Sequence, residues 1–222
     1  MLRIVSWLII VLAWVCSSAR TAQDYDVLFT KLGLVDVATV DSTIIVNLKY
    51  ATTDNFVGKN MYGELRRAYV TKETAKSLAG VQRQLKKIDS RYSLIIYDAG
   101  RPVSVQKVMW DMVKNTDNQK YVAAPYRGGP HNYGVAVDVG LALNGVPVDM
   151  GTKFDTFSTT SHITNESYLV KKKLITEQAR RNREILRKAM TDNGFRTYRR
   201  EWWHFERRRT AYARKYLRLI DF

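Results

Sequence analysis

A single cysteine constrains this 222-residue chain more than any other feature. It is Cys16, at the end of an N-terminal apolar run. Arg3 gives that run a positive start, Ile4 to Val15 is apolar except for Ser6, and Ser17-Ser18-Ala19 supplies the small residues of a cleavage site. Residues 1–19 therefore read as a cleaved signal peptide. Residues 20–222 read as one mature domain, exported to a periplasmic or extracellular compartment. A short N-terminal anchor is the other reading of the apolar run. Lipid attachment at Cys16 is disfavoured by Val15, which stands where a small residue is usual. The mature chain then has no disulfide, no thiolate metal ligand and no cysteine nucleophile. Its fold must rest on an apolar core, and any metal centre on His, Asp or Glu.

About 200 residues suffice for such a core. The chain is 45% hydrophobic and 26% charged, ordinary for a soluble globular protein. After the leader there is no apolar run long enough to span a bilayer. The formal net charge of +15 favours polyanionic neighbours. For an exported protein these are the anionic cell-wall surface or anionic lipid. The basic residues gather at Lys171-Lys172-Lys173, Arg180-Arg181, Arg199-Arg200 and Arg207-Arg208-Arg209. Solvated helix faces explain them equally well. No nucleic-acid motif accompanies the charge, so no nucleic-acid partner is expected.

Hydrophobic periodicity outlines the elements. Ser42 to Leu48 is β-branched and reads as a strand, and residues 51 to 63 read as a loop. Apolar residues from Thr71 to Ile88 recur at helical spacing. Ser93 to Tyr97 is a buried-strand candidate, and Pro102 opens a helix to about Val113. Asn115 to Pro130 is turn-rich, Gly134 to Leu143 returns to strand character, and Gly145 to Thr164 is a long loop. A helix over Ile175 to Ala189 stops at Gly194, Phe195 to Phe205 reads as one strand, and Thr210 to Leu219 as a basic helix or irregular end. Helices and strands without a βαβα rhythm indicate an α+β fold: a single compact domain, its sheet mainly antiparallel and flanked by helices.

Of three histidines, two have suggestive settings. His131 is followed by Asp138 seven residues on, and His204 closes Glu201-Trp202-Trp203-His204. Zinc accepts imidazole nitrogen and carboxylate oxygen, and a catalytic zinc keeps one position open for water. His131, Asp138 and His204 supply three ligands, leaving Glu201 to act on the water. Arg101, at the end of a predicted strand, is a cation for a developing oxyanion. Spacing alone leaves hydrogen-bonded core histidines, packed tryptophans and a surface arginine as alternatives.

These motifs resemble, in order, those of the D-alanyl-D-alanine dipeptidases, the VanX-like metallopeptidases. The resemblance runs from about Tyr50 to Phe205, through Tyr50-Ala51-Thr52-Thr53-Asp54-Asn55, Asp98-Ala99-Gly100-Arg101-Pro102, His131 to Asp138, Met150 to Asp155 with Ser161-His162, and Glu201-Trp202-Trp203-His204. It implies one zinc ion per chain at the sheet, held by His131, Asp138 and His204. It further implies Glu201 as general base and acid, and Arg101 as the group polarising the scissile carbonyl. Asp155 would take the ammonium of a small dipeptide substrate, with Tyr50 and Asn55 bordering the pocket; with three ligands already assigned, His162 is expected to support the site or the fold rather than to ligate the metal. The implied activity is hydrolysis of D-alanyl-D-alanine in peptidoglycan turnover. A D,D- or L,D-carboxypeptidase on longer wall peptides, or a non-catalytic wall-binding module, is the alternative.

The sequence departs from the family pattern in two places. Gly129-Pro130 stands where a serine usually precedes the first zinc histidine, so that only the Gly129 N–H is left to contact substrate. Gly100 stands where an aromatic residue usually precedes the arginine. Both lie on the substrate side and bear on which dipeptide is accepted.

Overall fold

The computed structural model describes residues 20–222, so the expected signal peptide and Cys16 lie outside the described residues. In chain order the regular elements are α1 (Ala22–Lys31), β1 (Leu34–Asp36), β2 (Ile45–Val46), β3 (Tyr69–Thr71), α2 (Lys72–Ile88), β4 (Tyr92–Asp98) and α3 (Val103–Val113). After a run of 3-10 turns come β5 (Ala136–Leu143), β6 (Val146–Pro147), α4 (Glu166–Lys171), α5 (Glu177–Asp192), β7 (Arg196–Tyr198), β8 (Glu201–Glu206) and α6 (Thr210–Tyr216). The main sheet has the order β2-β4-β5-β8-β7, with β6 paired to β5. Only β2–β4 is parallel. A small antiparallel pair, β1–β3, stands apart. The α+β class and the mainly antiparallel sheet are as the sequence predicts.

The two long helices form where patterning and caps agree. In α2 the buried face includes Ala75, Leu78 and Leu85, and Thr71 caps the helix by accepting the Thr74 N–H. In α5 Thr176 accepts from the Ala179 N–H, and the chain leaves at Gly194 with φ of +84°, a conformation that favours glycine. The two helices pack on one another and on the sheet. Val137, Val139 and Leu141 of β5 are fully buried in the same apolar cluster as Leu78 and Leu186. Alternation turns Ala136, Asp138 and Gly140 to the opposite face, where the polar residues gather.

Three expectations are corrected. The strand over Ser42 to Leu48 contracts to Ile45–Val46, because only this stretch pairs with β4 and Leu48 already leads into a 3-10 turn. Phe195 to Phe205 is not one strand but the hairpin β7–β8, folded at Arg199-Arg200, which puts Glu201 at the head of its own strand. Helices α1 and α4 and the β1–β3 pair lie where no element was expected. Their apolar patterns are short, and they are fixed by capping (Thr21 on Asp24 for α1) and by tertiary contacts such as the Phe29–Tyr69 stack.

Candidate metal centre and its cavity

Sheet register assembles the centre. Across three neighbouring strands Asp98 stands opposite Asp138, and Asp138 opposite His204. Residues directly opposed in antiparallel pairs project from the same face, so the three side chains form one row. The register shift between Ile96 and Asp98 ends β4 with an irregularity and turns the chain toward Arg101. His131 comes from a 3-10 turn, Pro130–Tyr133, tied to the arginine turn. The Arg101 N–H donates to His131 O at 3.0 Å, and Asn132 Nδ2 donates to Arg101 O at 2.8 Å.

The ligating atoms form a near-equilateral triangle. His131 Nε2 lies 3.1 Å from His204 Nδ1 and 3.3 Å from Asp138 Oδ1, and His204 Nδ1 lies 3.0 Å from Asp138 Oδ1. Ligands about 2.0–2.1 Å from a tetrahedral ion stand about 3.3 Å apart, so the triangle fits the face of such a site. The outer ring nitrogens fit as well. His131 Nδ1 is 2.9 Å from Ala99 O, where it donates as N–H and leaves Nε2 a lone pair. His204 Nε2 faces Glu206 Oε1 at 3.7 Å. Among the described residues this is the one group of three or more with suitable donor spacing.

The surrounding charge is acidic and buried. Burial disfavours the His204 imidazolium, but the Asp138, Glu206 and Glu201 carboxylates outweigh it and lift the ring to about 10. Burial alone would raise Asp138. The two histidines reverse this and hold the carboxyl well below its ordinary range. The centre is thus built for positive charge. Glu201, itself buried, has its Oε2 3.9 Å from His204 Nδ1. Burial lifts its carboxyl to about 7, against the pull of His204.

Arg101 is held with little freedom. Its Nε and Nη2 donate to Asp98 Oδ2 at 2.9 and 2.5 Å, its Nη1 donates to Gln106 Oε1 at 2.9 Å, and its guanidinium lies 5.0 Å from the Tyr50 ring centroid. Tyr62 also donates its hydroxyl to Asp98. Asp98, Tyr62 and Gln106 were not singled out from the sequence, although Asp98 heads the quoted arginine turn. The glycine before the arginine has a local cause. A Cβ at Gly100 would meet Tyr69 O at 2.6 Å, so β3 occupies the room an aromatic side chain would need.

These groups line a cavity of about 240 Å3. Drug-sized ligands occupy about 300–1,000 Å3, so this space suits something smaller. On its far wall the Tyr50 hydroxyl donates to Asp155 Oδ1 at 3.0 Å, and the Phe56 N–H reaches Asp155 Oδ2 at 3.4 Å. Burial raises the Asp155 carboxyl well above its usual value, with the Asp138 charge adding to the shift. Trp203 lines the cavity and packs edge-on against Phe154, while Trp202 Nε1 donates to Thr152 Oγ1 at 2.8 Å.

Two sequence-predicted residues, Asn55 and Gly129, are placed differently, and His162 keeps the non-ligating place expected of it. Asn55 does not line the cavity. Its Nδ2 donates to the carbonyls of Lys49, Thr52 and Lys59, and its Oδ1 accepts from Val57 and Gly58, so the amide organises its own loop. Gly129 does line the cavity, but its N–H donates to Asn132 Oδ1 at 2.7 Å. The donor expected there for substrate is therefore engaged, because the turn needs it. His162 stands away from the triangle, with Nε2 3.3 Å from the Tyr121 hydroxyl.

Three ligating groups leave a tetrahedral ion one position short, and a carboxylate stands within reach of it. That arrangement is the one a single-metal hydrolase uses. The family profile described as D-ala-D-ala dipeptidase matches residues 30–221. The chain is 34% identical over 178 residues to the D-alanyl-D-alanine dipeptidase of Escherichia coli strain K12, covering 78% of this chain and 83% of that protein. It is 32% identical over 176 residues to that of Enterococcus faecalis (71% and 83%) and 30% identical over 186 residues to that of Enterococcus faecium (76% and 88%). The chain belongs to the D-Ala-D-Ala dipeptidase family of metallopeptidases.

Proposed function

We propose that this protein is an exported, zinc-dependent dipeptidase that hydrolyses D-alanyl-D-alanine during cell-wall peptide turnover. The observation that carries the reading is the triangle of His131 Nε2, Asp138 Oδ1 and His204 Nδ1 with the Glu201 carboxylate beside it. The relatives named above carry that activity in their names, and the small cavity suits a small substrate. Two imidazoles and one carboxylate with an open position suit a catalytic zinc and also non-heme iron(II), and the hydrolytic activity in the relatives' names favours the redox-inert ion.

Bound there, zinc would supply a Lewis acid that lowers the pKa of water to about 7. The protein's own groups do the rest. Asp155 pairs with the substrate ammonium, and the Tyr50 hydroxyl fixes that carboxylate. Arg101, locked on Asp98 and Gln106, is the cation that meets the negative charge developing on the scissile carbonyl oxygen. Glu201 takes the proton from the attacking water and returns it to the leaving amine. Burial beside the candidate ligands places its carboxyl where both transfers can be made. A need for a free ammonium separates this dipeptidase from a carboxypeptidase on longer wall peptides, whose chain would continue where Asp155 closes the cavity.

The test is a metal analysis joined to a hydrolysis assay, on the wild type and Glu201→Gln. The variant is expected to keep one zinc per chain and to lose about 10²–10⁴-fold in kcat on D-alanyl-D-alanine. Undiminished turnover in Glu201→Gln, or a wild type inert toward the dipeptide with zinc bound, sinks the reading.

A further inference from the structure

We infer that Lys120 receives the carboxylate of the dipeptide and makes the enzyme select substrates with a free C-terminus. The inference rests on the dipeptidase reading above. A dipeptide with both ends free is a zwitterion. Asp155 answers its ammonium, and an unanswered carboxylate in a small cavity is costly. The cavity wall before His131 cannot answer it, since the Gly129 N–H is engaged by Asn132 and Pro130 has no N–H. Arg101 has three of its five N–H groups committed to Asp98 and Gln106, and the proposed chemistry directs the others at the scissile carbonyl.

Lys120 is the other permanent cation lining the cavity. Among the described residues its ammonium has no carboxylate partner, and it rests 5.6 Å from the Tyr121 ring centroid. The segment bearing it is tied to the reacting side of the cavity from two directions. Ala123 O accepts from Gln106 Nε2 at 2.7 Å, and Gln106 in turn holds Arg101. Lys120 O accepts from Nη1 of Arg200, the residue before Glu201, at 3.4 Å. Tyr121 stacks on Phe157 with centroids 4.8 Å apart and planes 5° off parallel, which joins this segment to the loop carrying Asp155. Lys120 is exposed, so its ammonium is hydrated in the free protein, and its long aliphatic stem gives it the reach to meet a carboxylate in the cavity it lines.

The experiment compares D-alanyl-D-alanine with its C-terminal amide in steady-state kinetics, using the wild type, Lys120→Ala and Lys120→Arg. The two substrates share the ammonium and the scissile bond and differ only in the carboxylate. Lys120→Ala is expected to raise KM for the free dipeptide about tenfold, with kcat within about threefold and kinetics on the amide unchanged. Lys120→Arg should recover most of the loss. Added salt should raise KM for the free dipeptide more steeply in the wild type than in Lys120→Ala. If Lys120→Ala shifts both substrates equally, or neither, while the wild type still cleaves the dipeptide, Lys120 has no such role. If the wild type cleaves neither, the dipeptidase reading falls and takes this inference with it.

Discussion

The two halves of the cavity are built differently. The metal half stands on the sheet. Asp138 and His204 are cross-strand partners on β5 and β8, and His131 sits on a turn bonded into the Arg101 turn. The half proposed to receive substrate stands on loops. Tyr50 follows β2, Lys120 lies in the turns after α3, and Asp155 takes φ of +60° in the long connection after β6. Backbone ladders hold the first half, while a few side-chain bonds hold the second. Strand register therefore sets the geometry of the first half, and loop geometry that of the second.

The largest effect should come from breaking the sheet-borne row. Asp138→Asn removes the carboxylate that stands between two histidines. Bound zinc should fall to a small fraction of one per chain, and turnover to background. Chelation of the wild type should do the same and reverse on adding zinc. A variant that retains full metal content would place the ion elsewhere.

Asp155→Asn strikes the loop half at its centre, and should act on binding rather than on the metal. Zinc content should be unchanged, and KM for the dipeptide should rise about 10–100-fold through loss of a charge-assisted contact. The preference for free over N-acylated dipeptide should shrink with it. A loss confined to kcat would mean that Asp155 belongs to the chemistry, and the division between halves would fail.

Arg183 sharpens the comparison, because it reaches from the helical layer to the substrate loop. Fully buried on α5, it donates to Met150 O at 2.7 Å and Thr160 O at 3.0 Å, one on each side of Asp155. Glu166 Oε1 lies 3.6 Å from its Nη1. Arg183→Met should cost about 1–3 kcal/mol in urea unfolding and raise KM several-fold, with kcat and zinc content near wild type. Equal losses in KM and kcat would show that the loop and the metal face move together.

The same division governs what could be read from the sequence. The long helices and the central strands follow apolar periodicity, and the His131-to-Asp138 spacing and the Glu201-to-His204 cluster drew attention to residues that the fold brings together. Their meeting depends on strand register, and β5 and β8 announce themselves by composition. The loop half was harder to read. Asn55 and Gly129 occur in suggestive segments, but whether an amide or an N–H faces substrate or its own turn depends on turn geometry that a single sequence does not display. Asp98 was overlooked because a buried carboxylate paired with an arginine three residues on looks, in sequence, like any turn aspartate. The β7–β8 hairpin was read as one strand because Arg199-Arg200 lacks the glycine or asparagine that usually marks a tight turn.

Asn55 offers the gentlest test, and so the finest one. Its amide ties together the carbonyls of Lys49, Thr52 and Lys59 and the N–H groups of Val57 and Gly58, without lining the cavity. Between those anchors lie Tyr50, whose hydroxyl donates to Asp155, and Phe56, whose N–H reaches it. Asn55→Ala should therefore loosen the Asp155 surroundings without removing a substrate contact. A rise in KM of about two- to fivefold is expected, with a stability loss of about 1 kcal/mol and no change in kcat or zinc. If KM stays at the wild-type value while the stability loss appears, the loop's order is not what holds Asp155 in place. The Phe154–Trp203 packing beneath it would then carry that task, which would make the substrate half more dependent on the sheet than its loops suggest.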